Sequence, residues 1–450
     1  MLTILSSRSL GPAREAAPSV LYEAGLYTPD AFHPRGAVLV QDGVIVDVFP
    51  EAPADAEQLG VRIALDGILF PGLIDAHNHA SFGAIPSWTP ARYYTSRFDW
   101  RGKSRAGVWV VPEPDPDYAR LVSAPFKKIP TVMQPQAFLY GQVRGVVGGT
   151  TTMLLDAEVG IPDLPGLPGF VRDPKDWGSR VFGVLDILAV DAVSVNEIVK
   201  ELNADRAKLM VHLGEGTDGF ARGEFRSLVD RQLLTKNTSL IHGMGLLRPD
   251  WLKVQQSSAS VVWSPVSNLR LYGRTLDIAA VVGLGIPVAL APDWAVSGSS
   301  TLLDELRFVR RNYPILGAER LVAMCTEVPA ALLGLHHLGR IEKGRAADLL
   351  LLGGHRDVTS RFQAADALCH AHVEEVTLVI IAGVSVCGTA ELMAKTPAGG
   401  LASEIVSVPS TSADYGRTLR IAESAAFGPA ATALQGVLGA LAPLWEPPVL

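Results

Sequence analysis

Short apolar runs that end in polar residues recur through the middle of this chain, and helical stretches separate several of them. This alternation is typical of consecutive β-α units. Eight runs fit it: LFPGLIDAHNH (69–79), GGTTTMLLD (148–156), PGFVRD (168–173), VFGVLDILA (181–189), KLMVHLGE (208–215), TSLIHGMG (238–245), ASVVWSPVSN (259–268) and IPVALAPDW (286–294). Eight such units predict an α/β fold of the (β/α)8, TIM-like barrel type.

The segments on either side of these runs predict a small β-sandwich domain built from both ends of the chain. The stretch GAVLVQDGVIVDVFP alternates and contains a turn signal at Asp42-Gly43. After Leu338, GRIEKGRAADLLLLG and VEEVTLVIIAGVSVCG show strand patterns again. We therefore expect the N-terminal part of the sandwich in 1–68, the barrel in 69–339, the C-terminal part of the sandwich in 340–390 and a helical extension in 391–450.

Polar residues that can bind a metal or transfer a proton follow the predicted strands. They are His77 and His79 after the first, His212 and Glu215 after the fifth, His242 after the sixth, Asn268 after the seventh and Asp293 after the eighth. The carboxyl ends of barrel strands meet on one face. Alternate residues of an extended segment point to the same side, so both histidines of the first strand can face one ion. Imidazoles and a carboxylate suit a divalent metal, although a hydrogen-bonded histidine pair is the plainer alternative.

A second histidine pair of the same spacing, His370 and His372, lies in CHAHVEE. It follows the helical pattern ADALCHA, and no carboxylate in a comparable context accompanies it. We expect these two residues to be ordinary surface histidines.

The joint pattern resembles the amidohydrolase superfamily, from about Gly36 to Gly388. The residues that carry the resemblance are His77-Asn78-His79, His212-Leu213-Gly214-Glu215, His242 and Asp293. The segments SPVSNLRLYG and APDWAVSGSSTLLDEL look like the branch that contains cytosine deaminase, triazine hydrolases and phenylurea hydrolases. The resemblance implies a hydrolase of carbon–nitrogen bonds other than peptide bonds.

The resemblance also implies one divalent ion. Binuclear members hold a second metal with a lysine on the fourth strand, and VFGVLDILA contains none. The ion, zinc or iron, would be held by His77, His79, His212 and Asp293. In such a site Asp293 would accept a proton from water activated at the metal, and His242 would orient that water or face the substrate. Glu215 would carry a proton to the departing nitrogen; a surface carboxylate paired with Arg222 is the alternative.

The long connection between the first two predicted strands, residues 80–131, is rich in aromatic residues. They are Phe82, Trp88, Tyr93, Tyr94, Phe98, Trp100 and Trp109. Loops at this end of a barrel shape the substrate site, so a flat aromatic or heteroaromatic substrate is one interpretation, and ordinary loop packing is the other. Residues expected to contact the substrate are Phe82, Trp88, Asn268 and His242. Basic residues of the same connection could bind an anionic group or be solvated: Arg92, Arg97, Arg101, Lys103 and Arg105.

Three functions are compatible with these residues. The favoured one is hydrolysis of an aryl urea or amide, and the alternative is hydrolytic deamination or dehalogenation of a nitrogen heterocycle. A barrel that binds a ligand without catalysis is the third, but it predicts disrupted metal ligands, whereas all are present. In each case the expected partner is a small molecule.

Composition argues against other partners. A net charge of −7 without a run of Lys and Arg excludes a nucleic-acid footprint. The most apolar stretches are interrupted by Gly and Pro or carry a helical stripe suited to protein contacts, so no membrane span is expected. Three cysteines without metal-type spacing, and an N-terminus unlike a secretory signal, predict a reduced cytoplasmic protein. The Ala/Gly-rich tail is the expected contact surface of a homo-oligomer.

Overall fold

The computed structural model describes residues 19–83, 85–102, 113–128, 134–155, 171, 173–174, 178–396, 402–408 and 415–421. Its strands are β1 Val20–Tyr27, β2 Phe32–Gln41, β3 Val44–Phe49, β4 Val61–Pro71, β5 Leu73–Asn78, β6 Thr150–Leu155, β7 Val181–Val184, β8 Lys208–Leu213, β9 Thr238–His242, β10 Ser260–Trp263, β11 Val288–Leu290, β12 Leu349–Gly353, β13 Val376–Ile381, β14 Val384–Gly388, β15 Ala402–Val408 and β16 Tyr415–Ile421.

The helices of the described residues are mostly short. They are α1 Arg97–Arg101, α2 Pro116–Tyr118, α3 Ala124–Lys128, α4 Gln134–Val147, α5 Ala192–Asn203, α6 Gly219–Asp230, α7 Arg248–Gln256, α8 Pro265–Tyr272, α9 Ile278–Gly283, α10 Leu302–Asn312, α11 Ala318–Cys325, α12 Glu327–Leu332, α13 Arg361–His370 and α14 Ala390–Lys395. A π-helical turn, Ala119–Ser123, connects α2 to α3. None of the helices in these ranges combines the length and the apolar character that crossing a bilayer requires.

The largest sheet joins the two ends of the chain. Its nine strands run in the order β15-β16-β14-β13-β12-β4-β1-β2-β3, and β12 pairs antiparallel with β4, placing Leu350 opposite Phe70. The expected Asp42-Gly43 turn connects β2 to β3, with φ of 48° at Asp42 and 79° at Gly43. Two left-handed residues are what a tight two-residue hairpin needs. The N- and C-terminal segments therefore share one sheet.

The strands between these segments are parallel. Five follow the order β11-β10-β9-β8-β7, and β5 pairs with β6. A parallel bridge between Asn78 and Asp293 connects the end of β5 to the segment that follows β11. Strands buried on both faces need continuous apolar sequence, which accounts for the runs in the sequence. Fully buried side chains on these strands include Val211, Leu240, Val261 and Leu290.

Helix α4 packs the parallel strands against the large sheet. Phe70 of β4, Val146 of α4 and Met153 of β6 belong to one buried apolar cluster. Because the same cluster extends over β8, β9, β10 and β11, the strands that carry the polar residues rest on a continuous core. Such a core holds strand ends in fixed relative positions.

The structure confirms a mixed α/β architecture. Strands β5 to β11 lie within seven of the eight predicted runs. The remaining run, 168–173, falls largely outside the described residues, of which the structure includes only 171 and 173.

The predicted seventh run extends too far. Strand β10 ends at Trp263, and α8 begins at Pro265, so Asn268 lies on a helix rather than at a strand end. Proline is favoured at the first position of a helix because it has no N–H to leave unpaired there and its φ is already helical. The SPVSN sequence therefore starts a helix.

The helical expectation for 391–450 is wrong for part of that range. Among the described residues of that range, the helix is α14 at its start, whereas 402–408 and 415–421 form the antiparallel pair β15–β16, which extends the large sheet through β14. The Ile and Val residues of ASEIVSV favour a strand. Residues 422–450, where the helical stripe was predicted, lie outside the described residues.

Candidate metal centre and active site

Four histidines from three strand ends form one cluster, in which His77, His212 and His242 are buried and His79 is partly exposed. His77 and His79 lie at the end of β5, His212 on β8, and His242 at the end of β9. The ring centroid of His77 lies 4.9 Å from that of His79, 4.6 Å from that of His212 and 5.6 Å from that of His242. These residues are up to 165 positions apart in sequence. They meet because the carboxyl ends of the parallel strands share one face.

Asp293 completes the cluster from the segment after β11. Its Oδ1 atom lies 3.1 Å from Nε2 of His77 and 3.5 Å from Nε2 of His79. Its Oδ2 atom accepts a 2.6 Å hydrogen bond from the hydroxyl of Ser267. Burial opposes ionisation of Asp293, but the adjacent His77, with His242 and His79, holds its pKa below the usual range. The carboxylate is therefore charged, with one oxygen facing the histidines.

Two residues of the cluster have a left-handed backbone. The φ angle is 74° at His242 and 64° at Asp293. Residues with a Cβ rarely adopt this conformation, which costs on the order of 1–3 kcal/mol at each position and is concentrated at functional sites. The surrounding strands hold both residues in this conformation, which turns the chain at the point where their side chains enter the cluster.

The histidines are suited to metal binding in their neutral form. Burial is the main cause that lowers the pKa of His77, and burial together with the neighbouring histidines lowers that of His212 well below its usual range. Among the described residues, Nδ1 of neither ring has a hydrogen-bond partner. Neutral imidazole is the form that binds metal ions.

The ligand atoms are close enough to share one ion. Those of His77, His79 and Asp293 all lie within 4.8 Å of one another, as do those of His77, His212 and His242. Imidazole nitrogens with one carboxylate oxygen form a common ligand set for a divalent transition metal. The residues present therefore fit such an ion.

The second histidine pair is not part of this cluster. His370 is exposed at the end of α13, and its Nδ1 atom lies 3.6 Å from Oδ2 of Asp366. The backbone amide of His372 donates to Glu375, as at the start of a helical turn. Both residues have the surface positions that the sequence predicts.

Glu215 is a buried neighbour of the cluster rather than a surface carboxylate. It is 6% exposed, and its Oε2 atom lies 3.6 Å from Nε2 of His242. Its Oε1 atom accepts a 2.6 Å hydrogen bond from the hydroxyl of Tyr272. A hydrogen bond to a charged group contributes about 1.5–3 kcal/mol. The alternative of a surface pairing with Arg222 does not describe this residue.

Asn268 holds His242 in place. Its Oδ1 atom lies 3.0 Å from Nδ1 of His242, and its amide nitrogen donates to Thr275 at 3.0 Å. The side chain is fully buried. Asn268 was expected to bind substrate, but its amide is used in orienting the His242 ring.

Comparison with known proteins agrees with this geometry. Residues 191–386 match the amidohydrolase family. A 5-methylthioadenosine/S-adenosylhomocysteine deaminase of Pyrococcus furiosus is 25% identical over 350 residues, which cover 71% of this chain and 82% of that protein. The chain is therefore similar to the amidohydrolase superfamily, whose family model it matches over 191–386. It is a hydrolase that acts on carbon–nitrogen bonds other than peptide bonds.

Two solved structures share the fold of this chain. An adenosine deaminase of Xanthomonas campestris with bound zinc has a TM-score of 0.61 at 18% identity, covering 81% of this chain and 92% of that one. The atrazine chlorohydrolase of Arthrobacter aurescens, complexed with zinc, has a TM-score of 0.62 at 17% identity, covering 82% of this chain and 95% of that one.

The aromatic connection between β5 and β6 divides into two parts. Phe82 stacks on Phe126 with ring centroids 4.1 Å apart and lies 5.3 Å from Trp294, whose ring is 6.4 Å from His79. Trp88, in contrast, is 2% exposed and packs among other aromatic rings. Phe82 and Trp294 therefore form the aromatic wall next to the histidine cluster, while loop packing describes Trp88.

Arg97 is neither solvated nor open to an anionic ligand, the two roles considered from the sequence. It is 1% exposed and donates to Glu224, with Asp186 3.9 Å from the same guanidinium. Trp109, Lys103 and Arg105 lie outside the described residues.

Three residues of the site have no distinctive signal in the sequence: Trp294, Tyr272 and Ser267. Trp294 follows Asp293 directly, and the other two belong to the SPVSNLRLYG motif. Asp75 accepts from the backbone amide of His77 at 3.1 Å and from the side-chain amide of Asn78 at 2.7 Å. Burial raises the pKa of Asp75 to about 7. It fixes the chain between the two histidines of β5.

The metal ligands can be tested with the two histidine pairs of equal spacing. His79→Ala is expected to lose most of the roughly one divalent ion per chain that wild type retains, because a four-ligand site loses one ligand. His370→Ala is the matched control and should retain the ion. Elemental analysis of the purified proteins measures both. Equal metal content in His79→Ala and wild type, with correct folding, would rule out this ligand.

Proposed function

We propose that this amidohydrolase is a hydrolytic deaminase of a nitrogen heterocycle, replacing a ring amino group with oxygen. The observation that carries the proposal is the Glu215 carboxylate, held by Tyr272 and directed to His242 at the edge of the metal cluster. Relatives that align over most of the chain are deaminases, which supports this function over the aryl urea or amide hydrolysis that the sequence favoured.

The overall change is balanced by water. The ring carbon forms a bond to the oxygen of water and loses its bond to the amino nitrogen. One proton of water leaves with the nitrogen as ammonia, and the other remains on the ring in its oxo form. An amide ion is too poor a leaving group to depart without a proton, so a positioned acid is required.

The metal ligands and their neighbours divide the work. A divalent metal ion bound by His77, His79, His212 and Asp293 supplies a Lewis acid that lowers the pKa of water. Asp293, whose Oδ1 faces the histidines, accepts a proton from the attacking water. His242, fixed through Nδ1 by Asn268, presents Nε2 to the reacting carbon. Glu215 delivers a proton to the departing nitrogen.

The ion is zinc or iron. Imidazole and carboxylate ligands accept either metal. The zinc in the solved adenosine deaminase and atrazine chlorohydrolase supports zinc as the first choice.

The substrate proposed for this site is flat and aromatic. Phe82 and Trp294 provide ring faces beside His79, and planar rings pack well on aromatic side chains. The named activities of the relatives make aminopurines the first compounds to test: 5-methylthioadenosine, S-adenosylhomocysteine, adenosine and guanine.

For the fold, we propose that the parallel strands belong to a (β/α)8 barrel in 69–339. The flanking segments 1–68 and 340–390 would form the β domain, which β15 and β16 extend. The order of the parallel strands and the bridge between Asn78 and Asp293 support a closed ring.

A substrate panel tests the proposal. Metal-loaded protein is expected to release ammonia from an aminopurine or another amino-heterocycle, with oxygen from labelled water incorporated into the ring product. The same panel includes aryl ureas and chlorotriazines, assayed for arylamine and chloride. Mass spectrometry and an ammonia assay read the outcome. Release of arylamine or chloride without ammonia from any amino-heterocycle would contradict deamination.

The role of Glu215 has its own test. Glu215→Gln should keep the metal ion and lose about 100-fold or more of kcat for ammonia release, since the amide has no proton to transfer at neutral pH. Glu197→Gln, an exposed carboxylate on α5, is the control and should retain kcat. Steady-state kinetics with metal analysis measure both. Full activity in Glu215→Gln would remove this residue from the proton path.

A further inference from the structure

A segment of the long β5–β6 connection is attached directly to the chain around Glu215. The backbone amide of Arg97 donates to the carbonyl of Glu215 at 3.0 Å, and the amide of Thr217 donates to the carbonyl of Thr95 at 2.7 Å. Ser96 and Gly216 form an antiparallel bridge between these bonds. A Cβ on Gly216 would lie 2.4 Å from Cα of Ser96, so only glycine permits this approach. The backbone of Glu215 is therefore fixed on one side by this segment.

The side chains of the same segment also reach Glu215. Arg97 is clamped by Glu224, which in turn accepts from the amide of Gly214 at 2.8 Å. From that position Nη1 of Arg97 lies 3.9 Å from Oε2 of Glu215. Removing one partner of a buried ion pair leaves a charge without compensation. Arg97 and Glu224 therefore depend on each other in their buried positions.

Tyr272 determines the environment of the other oxygen. Its hydroxyl oxygen accepts a hydrogen bond from Nε1 of Trp100 at 3.0 Å. The indole N–H is a donor only, so the tyrosine proton is left to point at Oε1 of Glu215, 2.6 Å away. In a protonated carboxyl the carbonyl oxygen is the stronger acceptor, so the oxygen that takes this bond is favoured as the one without the proton. A proton on Glu215 therefore resides on Oε2, the atom that lies 3.6 Å from His242.

We propose that Tyr272, oriented by Trp100, is a positioning residue that selects Oε2 of Glu215 as the proton-delivering atom. The inference rests on the proposed deamination, in which Glu215 protonates the departing nitrogen. The Tyr272 hydroxyl is hydrogen-bonded to Trp100 and Glu215. Its effect is specific to steps that need a delivered proton.

The test compares two leaving groups on the same heterocycle. Ammonia needs a proton to depart and chloride does not, so Tyr272→Phe should lower kcat for the amino compound about tenfold or more. KM for that compound, and kcat for the chloro compound, should stay within about threefold of wild type. Equal losses for both leaving groups, or no loss for the amino compound, would overturn the assignment.

Tyr94→Phe is the matched control. Tyr94 lies in the same buried aromatic cluster, and its hydroxyl bonds Asp115 rather than Glu215. Tyr94→Phe also loses one hydroxyl from this cluster, so the variant reports the general cost of such a loss. Both kcat values of Tyr94→Phe should stay within about threefold of wild type, and metal content should be unchanged in both variants. A leaving-group-dependent loss in Tyr94→Phe equal to that of Tyr272→Phe would overturn the assignment.

Crystal structures separate failure of this inference from failure of the proposed function. If wild type releases no ammonia from any amino-heterocycle, the deaminase proposal fails, and the position of Glu215 still decides the role of Tyr272. In metal-loaded wild type, Oε1 is expected on the Tyr272 hydroxyl. In Tyr272→Phe the carboxylate should rotate or occupy two conformers. A carboxylate in the same single position in both structures would overturn the inference.

Discussion

The bridge between Asn78 and Asp293 is the contact on which the site depends. It places the end of β5 beside the segment that follows β11, although the two are far apart in the chain. Only with this pairing does one carboxylate oxygen lie within 3.5 Å of both His77 and His79. That placement requires a left-handed backbone at Asp293, which is unfavourable in conformational free energy. The packing of the buried core behind the strands offsets this cost.

A single short helix then orients the polar groups around the metal ligands. Helix α8 provides Ser267 to Asp293, Asn268 to His242 and Tyr272 to Glu215. Hydrogen bonds to buried polar groups are most effective when their partners are fixed in advance, because little ordering is left to occur during reaction. The turn that starts this helix at Pro265, immediately after β10, therefore matters to three different side chains. The motif SPVSNLRLYG thus contributes three hydrogen-bonding side chains to the site, although none of them is a proposed metal ligand.

Features that depend on local sequence could be predicted, and those that depend on distant pairing could not. Apolar runs ending in polar residues located His77, His212, His242 and Asp293 at strand ends, because strand burial is written in the run itself. Asn268 was assigned to a strand end since a proline after an apolar run can equally start a helix. Arg97 meets Glu224 127 residues away, a pairing that no local pattern contains. The short β-branched pattern of β15 and β16 does not by itself specify their pairing with each other and with β14, which the structure shows.

The central claim is that one divalent ion is bound where the carboxyl ends of β5, β8 and β11 meet. Anomalous diffraction from crystals of the protein as purified, collected on both sides of the zinc and iron edges, tests it most directly. The account predicts one peak per chain, surrounded by His77, His79, His212 and Asp293, with Glu215 outside the ligand shell. A peak between His370 and His372, two ions at the strand ends, or a peak with Glu215 as a ligand would contradict it.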